Sequence, residues 1–277
     1  MMPEIHIQQA APDASPRVKT APTKASIPTP FSYIPSDDGT DENLLILLHG
    51  LGDTHLPFTK LGRQLKLPQT AVLALRAPEQ VPFLYEDSFQ WYNSFDDLGE
   101  LIERPNPTPA LDLMTKVTAY LVQTCGWSPH QIHLFGFAQG GTVAAEFGIK
   151  WWKEYLAAHH RGTDASASLP PRTNGGAFGS IVSISGPLLS YPTLSLKNPT
   201  PVLLVHNPPP AETALPSGAI AAYKKAFESV IEKTSKESGM PSSRAGWEPI
   251  MQFWSSHLGR RQIEGLYEVM TGTASVP

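Results

Sequence analysis

The stretch HLFGFAQGG, from His133 to Gly141, decides the fold of this chain. It joins the apolar run QIHLFGF, which has the composition of a buried strand, to the run GGTVAAEFGIKWWKEYLAAHH, which has helical spacing. Glycines on both sides of Ala138 permit a tight strand-to-helix turn that exposes its central side chain above a sheet. The stretch therefore predicts a strand, a sharp turn and a helix in series. Ala138 occupies the position at which such a turn presents a nucleophile.

This glycine-rich turn has two other interpretations, a phosphate- or dinucleotide-binding loop and a plain connection. A phosphate-binding loop carries Lys followed by Ser or Thr after its glycines, and a dinucleotide-binding loop has the spacing G-x-G-x-x-G. Neither pattern occurs around Ala138. A plain glycine-rich connection between a strand and a helix stays open as the alternative.

Short apolar runs alternate with longer amphipathic runs along most of the chain. Strands are predicted at NLLILLHG, TAVLALRAP, GSIVSISG and PVLLVHN, with EPIMQFWSSH as the last one. Helices are predicted at PALDLMTKVTAYLVQTCGW, at AIAAYKKAFESVIEK and, closing the chain, at RRQIEGLYEVMTG. This alternation predicts one α/β domain over residues 29–277, doubly wound around a mainly parallel sheet. Residues 1–28, rich in Pro, Ala, Ser and Thr, are predicted to form a flexible tail.

Composition excludes several classes of function. The formal net charge is −4 and no run of basic residues is present, so nucleic acid is not an expected partner. No apolar run approaches the roughly 20 residues that span a bilayer. A single cysteine, Cys125, suits a reducing compartment, and a cytoplasmic location is expected. The histidines lack metal-ligand spacing, so neither a metal nor a cofactor is expected.

A second glycine loop, LLHGLGD, follows the first predicted buried strand. A His-Gly loop at that place can aim a backbone N–H at a developing oxyanion, together with the N–H that follows the central turn residue. Here the two donors would be those of Leu51 and Gln139. A generic glycine loop tied down by its own polar side chains is the alternative.

Candidates for a base and an acid follow from chain order, which in this kind of fold is nucleophile, acid, histidine. His257, before the predicted closing helix, suits the base, and a lone surface histidine is the alternative. Glu212 is the only carboxylate in HNPPPAETALP, the loop after the PVLLVHN strand. It suits the acid, or it is simply a solvated loop residue.

Taken in order, several blocks resemble the phospholipase/carboxylesterase branch of the α/β-hydrolases, which includes acyl-protein thioesterases and lysophospholipases. The blocks run from Asn43 to the end of the chain: LLHGLGDT, RAPEQVPF followed by WYNSFD, GWSPHQIHLFGFAQGG, IVSISG, PVLLVH and His257. The resemblance implies an α/β-hydrolase fold, an intracellular setting, and an acyl ester or thioester substrate on a lipidated protein or a lysophospholipid. It also implies hydrolysis by a Ser-Asp/Glu-His triad, and Trp91 as a substrate-binding residue.

Two departures from the family pattern bear on activity. Ala138 stands where the family has serine, and HNPPPAETALP stands where the family has an HGxxDxxVP-like loop with its aspartate. Without the hydroxyl no acyl-enzyme can form, so this form is expected to be inactive. Ala138 is then a substitution in an active enzyme, or the native residue of a pseudoenzyme that binds an acyl ligand or a protein partner. The irregular acid loop favours the pseudoenzyme; residual hydrolysis by water that His257 activates ranks last.

Overall fold

A computed structural model of the chain describes residues 18–82, 87–96, 98–160, 174–211 and 213–261. Its strands are β1 Phe31–Ile34, β2 Asn43–Leu48, β3 Thr70–Leu75, β4 Glu79–Gln80, β5 Phe89–Gln90, β6 Ile132–Phe137, β7 Ser180–Ile184, β8 Val202–His206 and β9 Val230–Thr234. Its α-helices are α1 His55–Leu65, α2 Thr108–Gln123, α3 Gln139–His160, α4 Ala219–Ala226 and α5 Arg244–His257.

The central sheet has the strand order β1-β3-β2-β6-β7-β8-β9. All neighbouring strands are parallel except β1, which runs antiparallel to β3. The parallel strands therefore end together at one edge, the carboxyl edge, and begin together at the opposite one, the amino edge. Helix α1 connects β2 to β3, α3 connects β6 to β7 and α4 connects β8 to β9, whereas residues 185–201 connect β7 to β8 without a helix.

Both faces of the sheet are buried. Along β2, Leu44, Ile46 and Leu48 pack into one core and Leu45 and Leu47 into the other, and all five are inaccessible to solvent. The first core contains apolar side chains of α2, α3 and α4, and the second contains those of α1 and α5. Burial on both faces explains why β2, β3 and β6 are apolar runs without alternation. The predicted doubly wound α/β architecture is confirmed.

The last third of the chain differs from prediction. The expected last strand, EPIMQFWSSH, lies in helix α5 because Trp247, Ile250 and Trp254 recur at helical spacing and face the second core. The expected helix AIAAYKKAFESVIEK ends at Ala226, and its second half forms the edge strand β9. Its charged side chains are exposed, and among the described residues it is the last strand at this side of the sheet.

The N-terminal segment also differs from the predicted tail. Residues 18–28 lie against the domain: Ile27 is 3% exposed and belongs to the first core, and the Lys19 backbone N–H donates to the Asp41 carboxylate. Residues 1–17 and most of the predicted closing helix lie outside the described residues. No helix in the described part of the chain is long and apolar enough to cross a membrane.

Candidate functional site

The Ala138 turn, residues 136–141, connects β6 to α3 at the carboxyl edge. Ala138 has a φ of +49°, the left-handed conformation that costs an L-residue roughly 1–2 kcal/mol. Its N–H donates to the Ile184 carbonyl over 2.8 Å, and its carbonyl accepts the Thr142 N–H over 3.0 Å. The strained residue is thus fixed by a strand on one side and by the helix on the other.

Two glycines make this turn possible. A Cβ on Gly136 would lie 2.1 Å from the Gly140 carbonyl oxygen, and one on Gly140 would lie 2.3 Å from the Leu48 carbonyl oxygen. No side chain fits at either position, because the turn packs backbone on backbone against the end of β2. The glycines that flank Ala138 in the sequence are therefore required by this close approach.

The loop after β2 lies against the same turn. A Cβ on Gly50 would come 2.9 Å from the Phe137 ring, so the loop and the turn meet at one corner of the edge. His49 fixes the loop: its Nδ1 donates to the Gly50 carbonyl over 2.7 Å and its Nε2 accepts the Ala77 N–H over 2.9 Å. Burial lowers the pKa of His49, so this imidazole is neutral and structural.

Leu51 and Gln139, the predicted oxyanion donors, are brought to this corner together. Leu51 is 39% exposed, and Gln139 is the first residue of α3. Within the described residues, neither backbone N–H donates to a protein acceptor. The positive end of the α3 dipole adds to the attraction that these donors offer an anion.

Trp91 occupies a different environment from the one that the resemblance implied. Its side chain is fully buried, and its Nε1 donates to the His49 carbonyl over 2.8 Å. Its backbone N–H donates to the Gln139 Oε1 over 2.9 Å. Trp91 therefore supports the loop and the turn from beneath and has no surface open to a substrate.

The Gln139 side chain is a feature that the sequence did not indicate. Its Nε2 donates to the Tyr92 carbonyl over 2.9 Å and to the Ser94 Oγ over 2.8 Å. With the bond from Trp91, this buried amide ties the start of α3 to the segment after β5. Residues 91–94 lie some 45 positions away in sequence, so only the tertiary structure pairs them.

His257 lies far from Ala138. It is the last residue of α5, its Nδ1 lies 2.7 Å from the Phe253 carbonyl oxygen, and it lines a cavity of about 250 Å³ with His130, Gly179 and Pro201. His130, Gly179 and Pro201 lie one or two residues before the strands β6, β7 and β8, respectively, so the cavity is at the amino edge. A five-residue strand at about 3.3 Å per residue separates the two edges by about 17 Å. The structure does not bring His257 and Ala138 together.

The loop after β9 takes the place at the carboxyl edge where the base was expected. A Cβ on Gly239 would lie 4.0 Å from the Phe137 ring, so residues 235–243 reach the Ala138 turn. Their sequence, SKESGMPSS, contains no histidine. Glu212, the expected acid, lies outside the described residues.

Glu237 is the carboxylate of that loop, and it is engaged in structure. It accepts hydrogen bonds from the hydroxyls of Ser242 and Ser243 and from the Ser242 N–H. These bonds, led by the one from Ser243, lower the pKa of Glu237 to about 2. The ionised carboxylate holds the loop at the start of α5, where Ser243 is the N-cap.

Ser185 repeats the geometry of Ala138 on the neighbouring strand. It follows β7, has a φ of +53°, and donates its N–H to the Val205 carbonyl over 2.8 Å. Strained non-glycine residues of this kind concentrate at functional sites. Two of them on adjacent strands identify this corner of the carboxyl edge as the candidate site. No group of three metal-ligating side chains occurs among the residues with described positions.

Comparison with known sequences identifies a family profile and two related hydrolases. The phospholipase/carboxylesterase family profile matches residues 30–159. An uncharacterized hydrolase of Mycosarcoma maydis is 38% identical over 243 residues, covering 85% of each chain. An uncharacterized hydrolase of Schizosaccharomyces pombe is 32% identical over 114 residues, covering 39% of this chain and 47% of the relative.

Solved structures give the same fold. The esterase PE8 superposes with a TM-score of 0.63 at 20% identity, covering 83% of this chain and 98% of the esterase. Acyl-protein thioesterase 2 of Zea mays superposes with a TM-score of 0.58 at 20% identity, covering 83% of this chain and 100% of that protein. The chain belongs to the phospholipase/carboxylesterase family of α/β-hydrolases.

Proposed function

We propose that this chain is a non-hydrolytic member of the family, a pseudoenzyme that binds an acyl carboxylate at the donors of Leu51 and Gln139. One observation carries the proposal. Ala138 has no hydroxyl, and the loop that reaches its turn, residues 235–243, has no histidine. Among the described residues, this turn and the loop that reaches it therefore supply neither the hydroxyl nor the imidazole that would make and transfer an acyl group.

The missing base also separates two interpretations of Ala138. A single substitution in an active enzyme would leave an imidazole within about 3 Å of the central turn residue. His257 lies at the opposite edge of the sheet, and residues 235–243 supply no replacement. Two missing groups favour a native alanine over a replaced serine. Residual hydrolysis through His257 has no geometric support either.

The retained parts favour binding. The two free N–H groups are the donors that hold an oxyanion, and the packed glycines and the strained φ of Ala138 shape the turn that presents them. None of these features needs the hydroxyl. A carboxylate presents two acceptor oxygens to such donors. The proposed ligand is a fatty acyl carboxylate, the product end of the ester or thioester chemistry to which the family is suited. Buried, unbridged Cys125 is compatible with the proposed cytoplasmic setting.

Titration with sodium octanoate, followed by isothermal calorimetry, tests the proposal. Ala138→Asp places a carboxylate between the two donors, and Asp tolerates the left-handed conformation. We expect Ala138→Asp to weaken octanoate binding at the Leu51 and Gln139 donors at least tenfold, because like charges repel at close range. Ala138→Asn, of the same size and uncharged, is the matched control and is expected to bind more tightly than Ala138→Asp. Equal affinities in the unmodified chain and Ala138→Asp would contradict the proposal.

A further inference from the structure

A second cavity, of about 540 Å³, lies at the β1 end of the carboxyl edge. Five of its seven lining residues belong to the N-terminal strap, which we define as residues 18–30, and the other two are the first residues of β1 and of α1. The lining residues are Lys24, Ile27, Pro28, Thr29, Pro30, Phe31 and His55. Its volume lies within the range of small-molecule sites, and most of its lining is aliphatic or aromatic.

The two ionisable side chains that line this cavity, Lys24 and His55, are both basic. The carboxylate of Asp53, two residues before His55, is not among the lining residues. Arg76 lies behind His55, close enough for its charge to act on the imidazole. The strap holds Arg76 in place: the Arg76 N–H donates to the Pro30 carbonyl over 2.9 Å, and the Arg76 carbonyl accepts from the Thr29 hydroxyl over 2.8 Å.

Two of these basic groups each have one nitrogen atom without a hydrogen-bond partner among the described residues. The His55 Nδ1 and the Arg76 Nε are both buried and have no partner among the described residues. The Arg76 guanidinium stacks at 4.0 Å over the Phe89 ring, and it makes no ion pair within the described ranges. Leaving a buried donor unpaired is unfavourable, and a bound acceptor removes that cost. His55 also begins α1, whose N-terminal end favours an anion.

We propose that this cavity, which we call the strap groove, binds an anionic amphiphile with its acidic group at His55 and Arg76. The apolar body of the ligand lies along Ile27, the prolines and Phe31, and Lys24 screens the acidic group from the solvent side. Carboxylate and phosphate share the required chemistry, a compact anion on an aliphatic or aromatic body. The ligand is held by charge and apolar contact, with no covalent step.

The strap groove is separate from the Ala138 corner. Its anion end at Arg76 follows β3, which is two positions from β6 in the sheet order, and two spacings of about 4.8 Å put the two strands about 10 Å apart. The groove does not depend on the donors of Leu51 and Gln139. It is therefore tested separately from the proposed function, in a variant that blocks the other site.

Calorimetric titrations with octanoate, octyl phosphate and 1-octanol test the strap groove in the Ala138→Asp background, which blocks the other site. We expect the two anions to bind saturably and octanol at least tenfold more weakly. His55→Gln and Lys24→Gln should each weaken the anions, His55→Gln by about tenfold, in line with the loss of a hydrogen bond to a charged group. Arg63→Gln, in the last turn of α1 and away from the groove, is the matched control and should leave affinity unchanged.

Thermal melts verify that each variant is folded before titration, and Lys24→Gln changes an exposed side chain of the strap. Preference for one anion over the other identifies carboxylate or phosphate as the recognised group. Absence of saturable binding in the Ala138→Asp background would overturn the proposal. Equal binding of octanol and the anions, or equal effects of His55→Gln and Arg63→Gln, would overturn it as well.

Discussion

Replacing Ala138 by serine supplies a hydroxyl at the turn, and the proposed function predicts that no imidazole of the described residues activates it. A serine is activated when an imidazole lies about 2.6–3.2 Å from its hydroxyl, and His257 is across a sheet about 17 Å deep. In serine hydrolases, losing the serine or the histidine alone costs about as much as losing the whole triad, roughly 10⁶ in kcat. Adding the serine back without the histidine should therefore raise the hydrolysis rate less than about tenfold.

The assay compares release of p-nitrophenol from p-nitrophenyl octanoate by the unmodified chain and by Ala138→Ser. A fluorophosphonate probe, read out by intact mass, reports independently whether the new hydroxyl is nucleophilic. His257→Ala in both backgrounds is the control, and it should change nothing. A rate increase of about 10³ or more in Ala138→Ser, abolished by His257→Ala, would refute the reasoning.

Three further predictions concern stability. Burial lowers the pKa of His133 from 6.5 to about 3, so the folded state keeps it neutral while the unfolded chain binds a proton. The free energy of unfolding therefore decreases as the pH drops below about 6.5, by about 1.4 kcal/mol at pH 5.5. His133→Gln should reduce this pH dependence of stability in urea denaturation, and an unchanged pH dependence would contradict the prediction. Ala138→Gly should relieve the left-handed strain by about 1 kcal/mol and raise Tm by about 2–4 °C, whereas a lower Tm would argue against strain. Trp91→Phe leaves the buried His49 carbonyl unpaired and should cost about 2–3 kcal/mol in chemical denaturation; a loss below 0.5 kcal/mol would count against its supporting role.

The parts of the fold that the sequence predicts well are those with a local cause. Strands β2 and β6 are apolar on both faces because both faces are covered, and the glycines of the Ala138 turn mark a close backbone approach. Leu51 and Gln139 follow these strands directly, so parallel pairing brings them to one edge. These residues could be located from strand ends alone.

The rest of the candidate site depends on tertiary contacts that no local pattern encodes. Interpreting EPIMQFWSSH as a strand placed His257 at the end of a strand. The aromatic residues of this segment instead have helical spacing, and helix α5 places His257 at the amino edge. The edge strand β9 has few apolar residues, and its pairing with β8 is what stabilises it. The bonds of the Gln139 amide and the packing of the strap likewise join segments that lie far apart in sequence.

The central claim is that the carboxyl edge keeps an anion-binding pair of backbone donors without catalytic groups. Nuclear magnetic resonance of the amide protons of Leu51 and Gln139 during an octanoate titration tests it most directly. We predict that both resonances shift together and saturate, since a carboxylate accepting a hydrogen bond deshields the donor proton, and that neither shifts in Ala138→Asp. Resonances that stay unmoved while octanoate binds elsewhere, or hydrolysis of an octanoyl ester by the unmodified chain in a parallel assay, would contradict the claim.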